Sequence, residues 1–153
     1  MDRRAGNILL ARLEMSVSSS TFRWTEGYRV NIALLDQQHR QLIETVNELD
    51  QALRTGEGKS VVEAVLDKLV EYALVHFTAE ERLMQQHDFP GLSTHQTQHE
   101  MFRQKIAIYL EDQKAGKPGV PVSLLLFMQE WMKQHLLTTD RQYSAFLNAR
   151  GVR

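Results

Sequence analysis

Histidine and carboxylate side chains are the groups in this sequence that could do chemistry. The 153 residues include six His, 19 Asp plus Glu and no Cys. Without thiolates, a metal site must use imidazole nitrogen and carboxylate oxygen, and iron–sulfur clusters, covalently attached haem and thiol nucleophiles are excluded. His76 with Glu80, and His95 with His99, lie four residues apart, so each pair would share one face of a helix.

Four stretches of apolar residues at helical spacing would position these side chains. Their predicted starts, in chain order, are about Asp36, Ser60, Leu92 or Ser93, and Val120, with a short fifth helix over residues 141–148. Ser60 with Glu63 has the pattern of a capping box. No stretch alternates with the period of a strand. The sequence therefore predicts an all-α protein.

Four helices joined by short loops pack most economically as an up-down-up-down four-helix bundle. Residues 22–35 would form an N-terminal arm lying across one end of it, and residues 141–148 a short C-terminal helix. We predict residues 1–21 to be a flexible N-terminal extension and residues 22–153 to be the bundle domain. A chain of this size can bury a sufficient core without a metal. Any metal would therefore be functional.

Five of the six histidines lie on apolar helix faces at ends that meet in an antiparallel bundle. The starts of helices one and three meet the ends of helices two and four. These histidines are His39, His76, His95, His99 and His135, with Glu80 one turn after His76. The sequence thus predicts one cluster of imidazoles in one half of the interior.

A seventh candidate, Asp140, lies five residues after His135. On an unbroken α-helix the two would be about 140° apart. Thr138, Thr139 and Asp140 are suited to a break, because an Asp at a new helix start can direct its carboxylate back toward a cation. We therefore expect the fourth helix to break here, which would bring Asp140 into the cluster.

A buried group of imidazoles and carboxylates requires a compensating charge. Five His and two carboxylates exceed the four ligands of a tetrahedral zinc ion, which favours two ions bridged by carboxylates. Two octahedral irons offer twelve positions. Five His, two bridging carboxylates and one bridging oxygen fill all but one of them. One open position on a redox metal predicts an oxygen-binding site.

The same residues make the sequence resemble the bacteriohemerythrins, the bacterial branch of the non-haem oxygen-binding hemerythrin family, from Phe22 to about Leu147. The similar segments are Trp24…Tyr28-Arg29-Val30-Asn31-Ile32…Asp36-Gln37-Gln38-His39, His76-Phe77-Thr78-Ala79-Glu80-Glu81…Phe89-Pro90, His95-xxx-His99 and Trp131…His135-xxxx-Asp140. Asn31 stands where the family often has Gly.

The resemblance implies a cofactor of two non-haem iron ions with an oxo or hydroxo bridge. His95, His99 and His135 would be terminal ligands of one iron. The other iron would be held by His39 and His76, and would keep the open position. Glu80 and Asp140 would bridge the two ions. The implied function is reversible dioxygen binding for oxygen transport, storage or delivery, without enzymatic turnover.

Three alternatives remain open. One is an oxygen-sensing or nitric-oxide-sensing module. A second is a di-iron oxidase or ferroxidase, although such bundles use Glu-x-x-His pairs and this sequence has none. A third is a bundle stabilised by zinc without redox chemistry.

Charge and hydropathy limit the partners. A net charge of −1 and an isoelectric point near 6.6 predict no nucleic-acid partner. No stretch approaches the roughly 18–20 apolar residues of a membrane span, so we expect no membrane partner and a cytoplasmic location. The expected partners are dioxygen and an oxygen-consuming enzyme.

Several residues near the predicted ligands have expected secondary roles. Four apolar side chains lie within one turn of a ligand His, where they would form the wall of an oxygen pocket or simply pack the core: Leu42, Phe77, Trp131 and Met132. His87 is predicted to be a surface residue, and Glu81 to be solvated.

Overall fold

Five α-helices and one π-helical segment make up most of the chain that this computed structural model describes, residues 22–153. They are α1 (Ala33–Arg54), α2 (Gly58–Gln86), α3 (Leu92–Lys114), α4 (Val120–Trp131), the π segment (Met132–Thr139) and α5 (Asp140–Asn148). Within these residues there is no β-strand, and no helix is long and apolar enough to cross a membrane. The predicted all-α bundle is confirmed.

The core of the bundle consists of two apolar clusters. The larger contains Leu49 of α1, Leu66 of α2 and Leu124 of α4, all without exposed surface. The smaller lies at the opposite end, where Leu35 and Met84 pack on α5. The predicted histidines lie where the two clusters meet: His39, for example, falls between Leu35 of the smaller cluster and Leu42 of the larger one. Apolar packing on both sides therefore fixes the position of the polar layer.

Helix α2 begins earlier than predicted. It starts at Gly58, preceded by Glu57, and no side chain caps its first turn. The Ser60 hydroxyl instead donates to the Glu57 carbonyl at 2.8 Å. The capping-box prediction was wrong because the turn after α1 is very short: a Cβ added at Gly58 would lie 2.7 Å from the Leu53 side chain. This close approach starts the helix at a glycine.

The N-terminal arm runs along α1 rather than across one end of the bundle. The backbone of Phe22 exchanges two hydrogen bonds with the side chain of Asn47, at 3.1 and 2.8 Å, far along α1. The Val30 N–H donates to Asp36 at 2.7 Å. Asn31 has φ 57°, a left-handed conformation that suits Gly and that Asn tolerates. The predicted extension over residues 1–21 lies outside the described residues, so that domain boundary stays a prediction.

The fourth helix does not break before Asp140. Residues Met132–Thr139 continue it as a π-helix, and the N–H of Asp140 bonds to the carbonyl of His135, five residues earlier. In a π-helix, residues five apart lie on the same face. Asp140 therefore joins His135 through a change of helix type, not through the predicted break.

Candidate metal centre

All seven predicted residues converge in one buried layer. None of their side chains is more than 2% exposed. Their donor atoms form two groups, each with atoms within 4.8 Å of one another. One group is Glu80, His95, His99 and His135, and the other is His39, His76, Glu80 and Asp140. The structure thus brings together every residue that the sequence pattern singled out.

The two carboxylates lie between the groups. Glu80 directs Oε1 toward His76 Nε2 at 3.1 Å and Oε2 toward His99 Nε2 at 3.0 Å. Asp140 directs Oδ2 toward His39 Nε2 at 3.2 Å and Oδ1 toward His135 Nε2 at 3.1 Å. Each carboxylate thus offers one oxygen to each group, which is the arrangement of a bridging ligand.

Several of these atoms make no hydrogen bond within the described part of the chain. They are Glu80 Oε2, both carboxylate oxygens of Asp140, and the Nε2 atoms of His95, His99 and His135. Buried polar atoms without partners destabilise a fold, and they are rare in native proteins. Unpartnered nitrogen and oxygen donors that face one another fit bound cations. The residues present therefore fit a pair of metal ions.

The outer nitrogen of four of the imidazoles has a hydrogen-bond acceptor. His76 Nδ1 lies 2.7 Å from Gln38 Oε1, and His135 Nδ1 lies 3.0 Å from Gln98 Oε1. His99 Nδ1 donates to Glu81 Oε1 at 2.7 Å, and His39 Nδ1 lies 3.4 Å from the Tyr28 carbonyl oxygen. Donation from Nδ1 leaves the Nε2 lone pair free for a metal, which is the usual arrangement behind ligand histidines.

The electrostatics of the cluster favour ionised carboxylates. Burial alone would raise the pKa of Glu80, but His76, His95 and His99 lower that pKa well below its usual value. The pKa of Asp140 is also lowered: burial and Glu80 raise it, and His135 and His39 outweigh them. Both carboxylates are therefore negative without a metal. Two negative carboxylates are suited to bind a metal cation.

The carboxylates act in turn on the histidines. Burial lowers the pKa of His39 and of His95, but Asp140 and Glu80 outweigh burial for His39, and chiefly Glu80 does so for His95, so both pKa values are raised. For His76, burial dominates and the pKa is lowered.

Aromatic rings pack flat against three of the imidazoles. Phe77 stacks on His99 with centroids 3.7 Å apart, and Trp131 stacks on His135 at 4.0 Å. Tyr72 stacks on His76 at 4.7 Å. Leu42 and Met132, also predicted as wall residues, are buried in the larger apolar cluster. These side chains fix the ring planes and exclude water from that side of the layer.

Two buried tyrosines lie beside the layer and differ in their hydrogen bonding. The hydroxyl of Tyr143 donates to Glu80 Oε1. The hydroxyl of Tyr72 has no partner among the described residues. Burial, with the charges of Glu80 and Asp140, raises the pKa of both phenols well above the usual value, so both keep their protons.

A groove between α1 and α2 leads inward to this layer. It has a volume of about 400 Å³, and its lining includes Gln38, Thr45, Tyr72, Val75 and His76. Tyr72 and His76 are buried, so they form its inner end.

The sequence matches the family described as the hemerythrin HHE cation binding domain over residues 30–147. This chain belongs to the hemerythrin family. Bacteriohemerythrins of Stenotrophomonas maltophilia and Methylococcus capsulatus are 31% identical over 121 residues and 28% identical over 127 residues. The matched regions cover 79% and 82% of this chain, and 78% and 96% of those relatives.

Other hemerythrins support the same relationship. A myohemerythrin of Sipunculus nudus is 28% identical over 124 residues, which cover 81% of this chain and 92% of the relative. A crystal structure of wild-type hemerythrin superposes with a TM-score of 0.74 at 26% identity, covering 83% of this chain and 98% of that one. The hemerythrin domain binds a di-iron centre, and the two donor groups suit two metal ions. The predicted iron cofactor is thereby confirmed.

The structure corrects one prediction beside the hemerythrin centre, and it places His87, which is half-buried, outside that centre. Glu81 is not solvated: it is only 20% exposed and binds His99 and Arg103. Although it lies about 100° from Glu80 around α2, its long side chain reaches across to α3. His87 follows α2 as its C-terminal cap residue and belongs to neither donor group.

Sequence reasoning missed the two glutamines that support histidines. Gln38 and Gln98 each directly precede a ligand-type histidine, and each contacts the histidine of the following helix. The Gln-His dipeptide occurs at 38–39, 86–87, 98–99 and 134–135, so the dipeptide alone does not single out these two glutamines.

Proposed function

We propose that this hemerythrin-family chain binds dioxygen reversibly at a non-haem di-iron centre, for oxygen transport, storage or delivery, and that it is not an enzyme. His95, His99 and His135 would hold one iron, and His39 and His76 would hold the other. The remaining two proposed ligands, Glu80 and Asp140, each offer one oxygen to either side and would bridge the ions.

The inequality of the two donor groups supports reversible ligand binding most directly. Glu80 belongs to both groups, and Asp140 lies 3.2 Å from His39 in one group and 3.1 Å from His135 in the other. Beside these two carboxylates, one position has three imidazoles and the other has two. With equal coordination numbers, the His39–His76 position has one protein ligand fewer. A small molecule can occupy that place.

The side chains around the centre have distinct tasks. Iron held there supplies redox-active binding of dioxygen. Gln38 and the Tyr28 carbonyl orient His76 and His39 from behind. Phe77 and Trp131 exclude water from the interior face. Tyr143 donates its proton to Glu80 Oε1 in a hydrogen bond and so fixes the bridging carboxylate.

One contact supports sensing of oxygen or nitric oxide as a second candidate. The carbonyl of Tyr28, in the N-terminal arm, faces His39 Nδ1 at 3.4 Å. Ligand binding at the open position that moves His39 would change the contact between this histidine and the arm. Slower hydrogen exchange of arm residues 22–32 on oxygenation would support sensing, and identical exchange would reject it. The cytoplasmic location and the oxygen-consuming partner enzyme stay predictions.

Oxygen titration of the reduced protein tests the main proposal. We expect two iron atoms per chain and an optical change that reverses when oxygen is removed. Multiple turnovers with an added reductant would instead indicate the oxidase alternative. Stoichiometric zinc in freshly isolated protein would contradict both.

A further inference from the structure

The unpartnered hydroxyl of Tyr72 is not explained by the ligand set. Tyr72 is 9% exposed, and its hydroxyl makes no hydrogen bond within residues 22–153. An unsatisfied buried hydroxyl destabilises a fold, whereas a phenylalanine there would keep the packing. Phe77 and Phe102 pack edge-on to its ring, and neither offers an acceptor. The interior packing therefore gives no reason for a tyrosine here.

The position of Tyr72 suggests a reason. Its ring stacks on His76, at an interplanar angle of 19°, which places it beside the two-histidine position. It also forms part of the inner end of the groove between α1 and α2. A small molecule that moved inward along this groove would meet Tyr72 and His76 together. The phenol is a hydrogen-bond donor at neutral pH.

We propose that the Tyr72 hydroxyl donates a hydrogen bond to dioxygen held at the His39–His76 side of the centre. This inference rests on the proposed function and adds a residue that determines how long the ligand stays. A ligand that gains negative charge accepts a stronger hydrogen bond, so the phenol slows release. Association is set by access along the groove and changes little.

The variant Tyr72→Phe removes the donor and keeps the ring. In reduced, iron-loaded protein we expect dioxygen to dissociate about tenfold faster, with an association rate within about twofold of the wild type. Tyr109→Phe is the matched control, since its hydroxyl bonds to Ser123 at 3.0 Å in the other half of the bundle. Its dissociation rate should equal that of the wild type. Stopped-flow absorbance measures both rates.

The melting temperature of the iron-free protein gives a second readout. Tyr72→Phe should raise the midpoint by about 2 to 4 °C, because it removes an unsatisfied hydroxyl, and Tyr109→Phe should lower it. A lower midpoint for Tyr72→Phe would mean that the hydroxyl has an internal partner, and would overturn the inference. An unchanged dissociation rate would also overturn it. A wild type that bound no oxygen reversibly would refute the proposed function itself.

Discussion

The two proposed iron positions differ, at the scale of residues, in the charge behind their ligands. His99 donates to the Glu81 carboxylate, whereas His76 faces the neutral amide oxygen of Gln38. A carboxylate behind an imidazole increases its basicity as a metal ligand. Arg103, 3.4 Å from Glu81, moderates this effect without removing it. We therefore expect the three-histidine position to bind its iron more tightly.

Replacing Glu81 with Gln tests the role of that carboxylate. Glu81→Gln keeps an acceptor for His99 but removes the charge, and should weaken iron binding by about 10- to 100-fold. Competition with a chelator measures the loss. Glu100→Gln is the control, because Glu100 is 57% exposed and contacts no histidine among the described residues. Equal affinity in the two variants would contradict the assignment.

Two histidine substitutions distinguish a proposed iron ligand from a histidine outside the metal centre. His95→Ala should lose iron and destabilise the fold by about 3–5 kcal/mol, because it leaves Glu80 and Asp140 with fewer compensating groups. His87→Ala should retain two irons, since His87 lies outside both donor groups. Elemental analysis and urea unfolding measure the two effects. Full iron content in His95→Ala would refute the ligand assignment.

Iron loading should release protons. In the iron-free protein, Asp140 and Glu80 raise the pKa of His39 and His95 above the usual 6.5. These imidazoles are therefore protonated to a higher pH than an exposed histidine, and metal binding must displace those protons. We expect greater acid release at about pH 6 than at about pH 9, when iron is added in weak buffer. Equal release at both values would contradict the raised pKa.

At the scale of elements, an α-helix and a π-helix each place two proposed ligands on one helix face. On α2, Glu80 follows His76 by four residues in an α-helix, and the pair lies on one face. On the fourth helix, Asp140 follows His135 by five residues, and a π-helix restores the shared face. The π-helix therefore accommodates the one extra residue between the two proposed ligands, as π-helical insertions at functional sites commonly do.

Deleting Thr138, which is exposed, tests this account. The deletion leaves His135 and Asp140 four positions apart, so a regular α-helix would place both on one face. We expect the variant to fold with less π-helix and to keep two irons. Inserting an Ala after Leu137 makes the separation six residues and should abolish iron binding. Iron loss in the deletion, or retention in the insertion, would refute the proposed role of helix type.

The sequence predicted the helices well where apolar periodicity decides the structure, and less well where tertiary contacts decide it. The start of α3 at Leu92 follows from its pattern. The π segment does not, because nothing local distinguishes it from a broken helix; the need to align Asp140 with His135 favours it. The arm was misplaced for a similar reason: its path depends on a contact with Asn47, 25 residues away.

At the scale of the whole molecule, the site was predictable because antiparallel topology forces four helix ends together. Once His39 and His95 lie at the starts of their helices, the ends bearing His76 and His135 must meet them. What topology does not specify is the support around the ligands. Glu81 was missed because its reach depends on side-chain length as well as on angle around α2.

The same layering predicts where iron removal loosens the fold. The buried carboxylates and imidazoles lie between the two apolar clusters, so without metal the repulsion between Glu80 and Asp140 and the unsatisfied polar atoms act in this half of the bundle. Opening free energies in native proteins differ between such regions. We expect iron removal to speed hydrogen exchange of amides around His39, His95 and His135. Exchange around Leu66 and Leu124, in the other half, should change little.

Mass spectrometry of peptides from the iron-loaded and iron-free protein measures this difference directly. Ligands that bind only the native state stabilise all regions that open through global unfolding. A uniform increase in exchange over both halves would therefore mean that the bundle opens as a single unit, and would contradict the layered account. An increase confined to the histidine layer and the adjoining arm would mean that the larger apolar cluster holds its half folded without metal.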